Sequence, residues 1–100
     1  MPYLLQVDFP YNGPWDNEMT LKMTDLAQSI AHESGLIWKI WTENKTTKEA
    51  GGVYLFDTME NASMYLTMHT KRLVSFGIPQ VQSKIFAVNQ TLSEITKMVF

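Results

Sequence analysis

The chain holds two histidines, His32 and His69, a single arginine, Arg72, and no cysteine, so few side chains can do acid–base, anion-binding or redox chemistry. His69 is the most informative of them. Ala62, Tyr65, Leu66, His69, Leu73 and Phe76 recur at helical spacing, and this stripe turns the imidazole toward the interior. An imidazole there is either a satisfied core group, hydrogen-bonded to a backbone carbonyl, or a base or neutral donor that faces a pocket and titrates near neutrality. Arg72, three residues on, shares that helix surface. It reads as a solvated shoulder residue or as the cation that holds an anionic ligand or a developing oxyanion. Tyr54 can bring a hydroxyl into the same pocket, and Asn12 stands at its mouth on a loop. Lys39, Glu43 and Glu49 read as an ion pair across a hairpin, a surface feature of little energy.

Other chemistries are excluded by what is missing. Without cysteine there is no disulfide frame, thiolate nucleophile, iron–sulfur cluster or cysteine-ligated zinc. The two histidines lack the spacing of a zinc-binding helix. Gly51-Gly52 lacks the helix and lysine of a phosphate loop, and neither a dinucleotide fingerprint nor a Gly-x-Ser-x-Gly elbow occurs. Met19, Met23, Met64 and Met68 are gap filling and surface rather than a metal site. Eight basic against ten acidic residues give a net charge of −2, which offers no footprint for nucleic acid or an anionic membrane. No run approaches the ~20 apolar residues of a membrane span. The start lacks the basic region of a signal peptide, so the expectation is a soluble, cytoplasmic protein. The Asn-x-Ser/Thr triplets at Asn44, Asn61 and Asn89 are then chance matches.

The elements that must position these residues follow from periodicity and punctuation. Tyr3 to Phe9 alternates as a strand, and Asn12-Gly13-Pro14 breaks it, with Pro14 suited to a first helical turn. Met19, Met23, Leu26, Ala27 and Ile30 predict a helix from Trp15 to about His32, stopped by Gly35. Strands are predicted over Leu36–Glu43 and Glu49–Phe56, joined by the polar connection Asn44–Lys48. The glycines of the latter strand suggest a bulge or a close approach by another group. Asp57 with Glu60 reads as the cap of a second helix, which Gly77 and Pro79 end. Val81–Val88 is a fourth strand, and Thr91-Leu92-Ser93-Glu94 opens a short terminal helix with a capping box. The order β-α-β-β-α-β over residues 1–100 predicts a single ferredoxin-like α+β domain: an antiparallel sheet with two helices on one face.

The uncovered sheet face should then be polar in a monomer, and it is not. Trp38 and Ile40 oppose Ile37 and Trp41, Val53 and Leu55 oppose Tyr54 and Phe56, and Ile85 and Ala87 oppose Phe86 and Val88. Strands apolar on both faces predict a homodimer packed sheet to sheet. Trp38 and Trp41 cannot share a face: one meets the helices and the other the interface. Core packing is the default for either, and lining a pocket for an aromatic ligand is the sharper alternative. At 12% aromatic, the chain carries more rings than a core of this size needs, so some are free for these tasks.

Phe9-Pro10-Tyr11-Asn12-Gly13-Pro14, Trp38-Lys39-Ile40-Trp41-Thr42-Glu43, Glu49-Ala50-Gly51-Gly52 and His69-Thr70-Lys71-Arg72-Leu73 resemble the YdhR family of mono-oxygenases over nearly the whole chain. The resemblance implies a dimeric α+β barrel shared with the antibiotic-biosynthesis monooxygenases, some of which oxidise polycyclic phenols with dioxygen and no cofactor. It makes Asn12, Trp38, Tyr54, His69 and Arg72 pocket candidates. On this reading His69, Arg72 and Tyr54 act on the substrate: His69 or a nearby water as base, Arg72 and Tyr54 as stabilisers of the anion and peroxide. Asn12, Trp38, Trp41, Phe56 and Tyr65 bind a phenolic or polycyclic aromatic ring. A non-enzymatic binding module for aromatic metabolites is the alternative, and a haem-binding or haem-degrading protein with His69 as axial ligand is another.

Overall fold

Along Tyr3–Pro10, strand β1, Leu5 and Val7 are buried while Gln6 between them is exposed, which is the two-residue period of a half-covered strand. In the computed structural model, which describes all 100 residues, β1 is followed by helix α1 (Asp16–Ala31), strands β2 (Leu36–Asn44) and β3 (Glu49–Phe56), helix α2 (Met59–Ser75), strand β4 (Gln82–Ala87) and a short helix α3 (Gln90–Ile95). The strands make one antiparallel sheet in the order β2-β3-β1-β4. This is the predicted ferredoxin-like arrangement with its terminal helix. Leu5 and Val7 of β1, Tyr54 and Phe56 of β3, Ile30 of α1 and Ala62, Tyr65 and Leu73 of α2 form the core, so both helices cover the same sheet face.

Register decides what that face presents. β2 opens with Leu36 opposite Phe56, yet Trp38 rather than Ile37 stands opposite Leu55, and the ladder then runs on as Lys39–Tyr54, Ile40–Val53 and Trp41–Gly52. Ile37 is an extra residue, and one extra residue exchanges the faces of everything beyond it. Lys39 and Trp41 therefore join Tyr54 on the helix side, while Trp38 and Ile40 share the outer face with Leu55 and Val53. The bulge predicted for Gly51-Gly52 is thus in β2 instead. At the glycines the close approach holds. A methyl group on Gly51 would run into the Val7 carbonyl oxygen, and one on Gly52 would meet Cε of Lys39 at 2.7 Å and the Tyr54 ring at 3.1 Å.

The helix starts differ from the sequence reading in detail. Thr58, not Asp57, caps α2: its hydroxyl accepts from the Asn61 backbone N–H at 3.1 Å, and Asp57 accepts from the Asn61 side-chain amide at 2.9 Å. Asn89, not Thr91, caps α3, accepting from the Leu92 N–H at 3.1 Å. At α3 the cap lies nearer the preceding strand than expected and at α2 one residue farther from it, and in both a short polar side chain accepts a free N–H of the first turn. Pro14 stands ahead of α1, whose capping position is Trp15 and bears no side-chain bond. Instead Glu43, at the end of β2, accepts from the Asp16 N–H at 2.9 Å and places a carboxylate at the helix start. Glu43 is therefore not a hairpin ion-pair partner for Lys39.

On the outer face the Trp38 indole N–H donates to the Val99 carbonyl at 3.0 Å, tying the C-terminal tail across the sheet beside fully buried Leu55. No helix is long and apolar enough to cross a membrane.

The two glycines respond differently to substitution. Gly51→Ala is expected to lower stability by about 1–3 kcal/mol, because its new methyl meets backbone that cannot swing away. Gly52→Ala meets the flexible end of Lys39 and costs less. Urea denaturation of the two variants checks this, and equal losses would contradict the register given above.

Candidate active site

A cavity of about 610 Å³ lies between the two helices and the sheet. Its wall is assembled from the end of β1 and the following loop (Phe9 to Gly13), the inner side of α1 (Met19, Met23, Leu26), Lys39 and Trp41 of β2, Tyr54 of β3, and His69 and Leu73 of α2. Glu43 fixes one wall by holding the start of α1. Phe76 ends α2, and Gly77 takes φ of +90°, the left-handed turn that glycine accepts freely just past a helix, so that Ile78 and Pro79 close the end of the cavity. Phe76 is exposed rather than packed on the buried stripe.

His69 is buried, and its ring stacks on Tyr65 with centroids 5.0 Å apart. Arg72 directs Nε, at 3.2 Å, and Nη2, at 2.9 Å, to His69 Nδ1. A guanidinium only donates, so Nδ1 must be the acceptor, and the neutral ring carries its hydrogen on Nε2. Burial, with the Lys39 and Arg72 charges beside it, lowers the His69 pKa to about 3. This corrects the expectation of a base titrating near neutrality. Neither nitrogen has a free lone pair to take a proton or to ligate a haem iron, and the group that remains is an N–H donor. No cluster of three or more His, Asp or Glu side chains is placed to hold a metal ion.

Tyr65 donates its hydroxyl to Tyr54 at 3.2 Å, and the two rings lie 4.9 Å apart. Burial first of all raises the pKa of both, with the neighbouring Tyr65 adding to it at Tyr54, so both stay neutral phenols. Tyr65 sits behind Tyr54 and does not line the cavity. Phe56 likewise is fully buried core, stacked against Tyr54 at 6.2 Å, not a wall residue as expected.

The structure therefore brings Asn12, Trp41, Tyr54 and His69 together around the cavity, with Arg72 directly behind His69. It does not bring Trp38 there. The bulge at Ile37 sends Trp38 to the other face of the sheet, where its indole is engaged by the tail.

Three wall residues were not legible as such. Tyr11 lines the cavity with a buried hydroxyl that has no hydrogen-bond partner, and burial followed by the Glu43 charge raises its pKa. Lys22 of α1 reaches the same space. The third, Lys39, is the most consequential. Instead of an ion pair, its ammonium lies 3.3 Å from the centre of the Trp41 ring and 4.7 Å from that of Tyr54. Burial, then the Arg72 charge, lowers its pKa to about 7. The ring faces return about 0.5–2 kcal/mol to the cation, less than these two effects remove. No carboxylate lines the cavity. Its fixed and switchable charges are all positive, set among apolar and aromatic surfaces.

Comparison with known proteins places this geometry. The family model described as "Putative mono-oxygenase ydhR" matches residues 4–99. Among solved structures, one described as a putative antibiotic biosynthesis monooxygenase from Deinococcus radiodurans superposes with a TM-score of 0.58 at 11% identity, covering 89% of this chain and 93% of that one. At that identity the likeness shows the fold alone. A search of curated proteins finds no match. The family match takes in all three walls of the cavity, β-strand, α1 and α2 alike, and the chain belongs to the YdhR mono-oxygenase family.

Proposed function

We propose that this protein is a cofactor-independent monooxygenase that oxidises a phenolic or polycyclic aromatic compound with dioxygen. The observation that carries the reading is the cavity itself: about 610 Å³, walled by the Trp41 and Tyr54 rings, with cations and no carboxylate. That size suits a small aromatic ligand. The charge pattern favours a phenol in its anionic form, because a positive, water-poor site lowers the pKa of an acid bound in it.

Such an anion is itself the reductant. One electron passes from the phenolate to dioxygen, and the radical pair combines to form a bond between a ring carbon and one oxygen atom. The resulting peroxide takes a proton. Loss of the hydrogen on that carbon then breaks the O–O bond, leaving a quinone and releasing the second oxygen atom as water. No outside electron donor is needed. His69 contributes its remaining N–H, with Arg72 behind it, to the developing negative charge, and Tyr54 stays protonated as a further donor. Trp41 and the apolar wall orient the ring and exclude water.

Oxygen uptake by chelator-treated protein over a panel of mono- and polycyclic phenols tests this, with mass spectrometry for one ¹⁸O atom from labelled dioxygen in the product. Arg72→Ala and Tyr54→Phe are expected to lower kcat by about a hundredfold, the usual effect of losing an oxyanion donor. Saturable binding with no uptake across the panel would overturn the oxygenase and leave a binding protein.

The outer sheet face supports a homodimer packed sheet to sheet. Ile40 is 55% and Phe86 46% exposed on that face, and the α3 and tail residues Leu92, Ile95 and Val99 are exposed as well. Their cover by a second copy would remove an apolar patch from water. Light scattering is expected to give twice the chain mass for the native protein and the single mass for Ile40→Lys/Phe86→Lys, with unchanged circular dichroism. A monomeric native protein would contradict the pairing.

A further inference from the structure

With the His69 lone pair held by Arg72, the phenol reading leaves open which group takes the phenolic proton. Water is not needed for it. Lys39 Nζ stands within the cavity wall, and its chain crosses Gly52, where a missing side chain leaves room for Cε. Its partners there are the faces of Trp41 and Tyr54, which tolerate an ammonium without neutralising it. We infer that Lys39 accepts the proton of a bound phenol and then serves as the counter-ion of the phenolate. In that step the O–H bond breaks with its electron pair left on oxygen, and an N–H bond forms on the amine. Two neutral partners become an ion pair, and the net charge of the site is unchanged. The inference rests on the cavity being a phenol site, and it adds the residue that makes the phenol reactive.

The other groups around Lys39 do not serve. Tyr54 on β3 stays protonated, His69 on α2 has no free lone pair, and the Arg72 guanidinium on α2 only donates. Tyr11 on the loop before α1 is held neutral by burial, and Lys22 on α1 is exposed to solvent rather than set between the two rings. Burial together with the Arg72 charge brings Lys39 to about 7, so at neutral pH a large share of the protein holds it as free amine.

The complex then contains one proton shared by amine and phenol, which fixes the form of its pH dependence. Below the lower of the two free pKa values both partners are protonated, and binding must expel a proton. Above the higher value both are deprotonated, and binding must take one up. Affinity is therefore bell-shaped in pH.

The experiment uses 4-nitrophenol, whose phenolate absorbs apart from its neutral form and whose nitro group makes it too poor a reductant to be turned over. One pH unit below its own pKa about nine-tenths of the free probe is neutral. Native protein is expected to bind it there with the phenolate band, and with affinity that passes through a maximum near neutrality. Lys39→Met is expected to lose the band and about tenfold or more in affinity, and to bind only more weakly as pH rises. Lys39→Arg keeps a cation but accepts no proton, so its affinity should rise with pH to a plateau instead of a maximum. Circular dichroism confirms that each variant is folded.

A native complex without the phenolate band, or a band that survives in Lys39→Met, overturns the inference. So does the absence of any saturable change. Because the probe is not oxidised, failure of oxygen uptake with phenolate capture intact would remove the monooxygenase reading alone.

Discussion

One extra residue in an edge strand, Ile37, determines which side chains the cavity receives. Were it paired with Leu55 in regular register, Trp38 would follow Leu36 to the helix side, and Lys39 would point outward. With the bulge, the lysine enters the apolar space between helices and sheet, while the tryptophan turns out to hold the C-terminal tail through the Val99 carbonyl. The two consequences belong together. The shift that places a cation beside Tyr54 also supplies the anchor on the opposite face, so a change of register would move both together. Gly52 completes the arrangement, since a side chain there would occupy the path of the lysine stem.

This is also where the sequence stops being legible. Strand and helix order, the split β-α-β topology and the buried stripe around His69 follow from apolar spacing and from Gly and Pro punctuation, because those signals are local. A bulge within Leu36-Ile37-Trp38 leaves no such mark: three apolar residues in a row fit either face equally well. Lys39, bracketed by Trp38 and Ile40, accordingly reads as the polar member of an exposed pair, and Trp38 as a pocket residue. Tyr54, Asn12 and His69 read as cavity residues from residue type and spacing, and spacing says only that one of Trp38 and Trp41 joins them; the chemical states of these groups do not follow from either. That Arg72 gives both nitrogens to one His69 atom, and so removes it as a base, depends on a side-chain conformation that spacing alone does not specify.

The caps show the same boundary on a smaller scale. Asp57 and Thr58 are both good capping residues, and only the path of the chain leaving β3 decides that Thr58 meets the Asn61 N–H. At α1 the cap comes from Glu43, distant in sequence, which no local pattern can announce. That one carboxylate spans from the end of β2 to the start of α1, and so couples the strand that carries Lys39 and Trp41 to the helix that faces them.

The charges of the cavity bear on stability in a direction that favours an anionic occupant. Unfolded, Lys39 holds its proton up to the ordinary 10.5; folded, it holds it only to about 7. Between these values the unfolded chain binds the extra proton, so the Lys39 contribution to stability is greatest above 10.5, declines as pH falls, and is wholly lost below about 7. His69, lowered from 6.5 to about 3, extends the decline through the acid range for the same reason. The folded protein at neutral pH thus works against its own cations, Lys39 and Arg72, with no carboxylate in the cavity to offset them. An anion brought in by a ligand reverses the sign of that interaction and raises the lysine pKa. Ligand binding and protonation of Lys39 are therefore linked equilibria, and the repulsion between Lys39 and Arg72 favours holding a ligand as its anion.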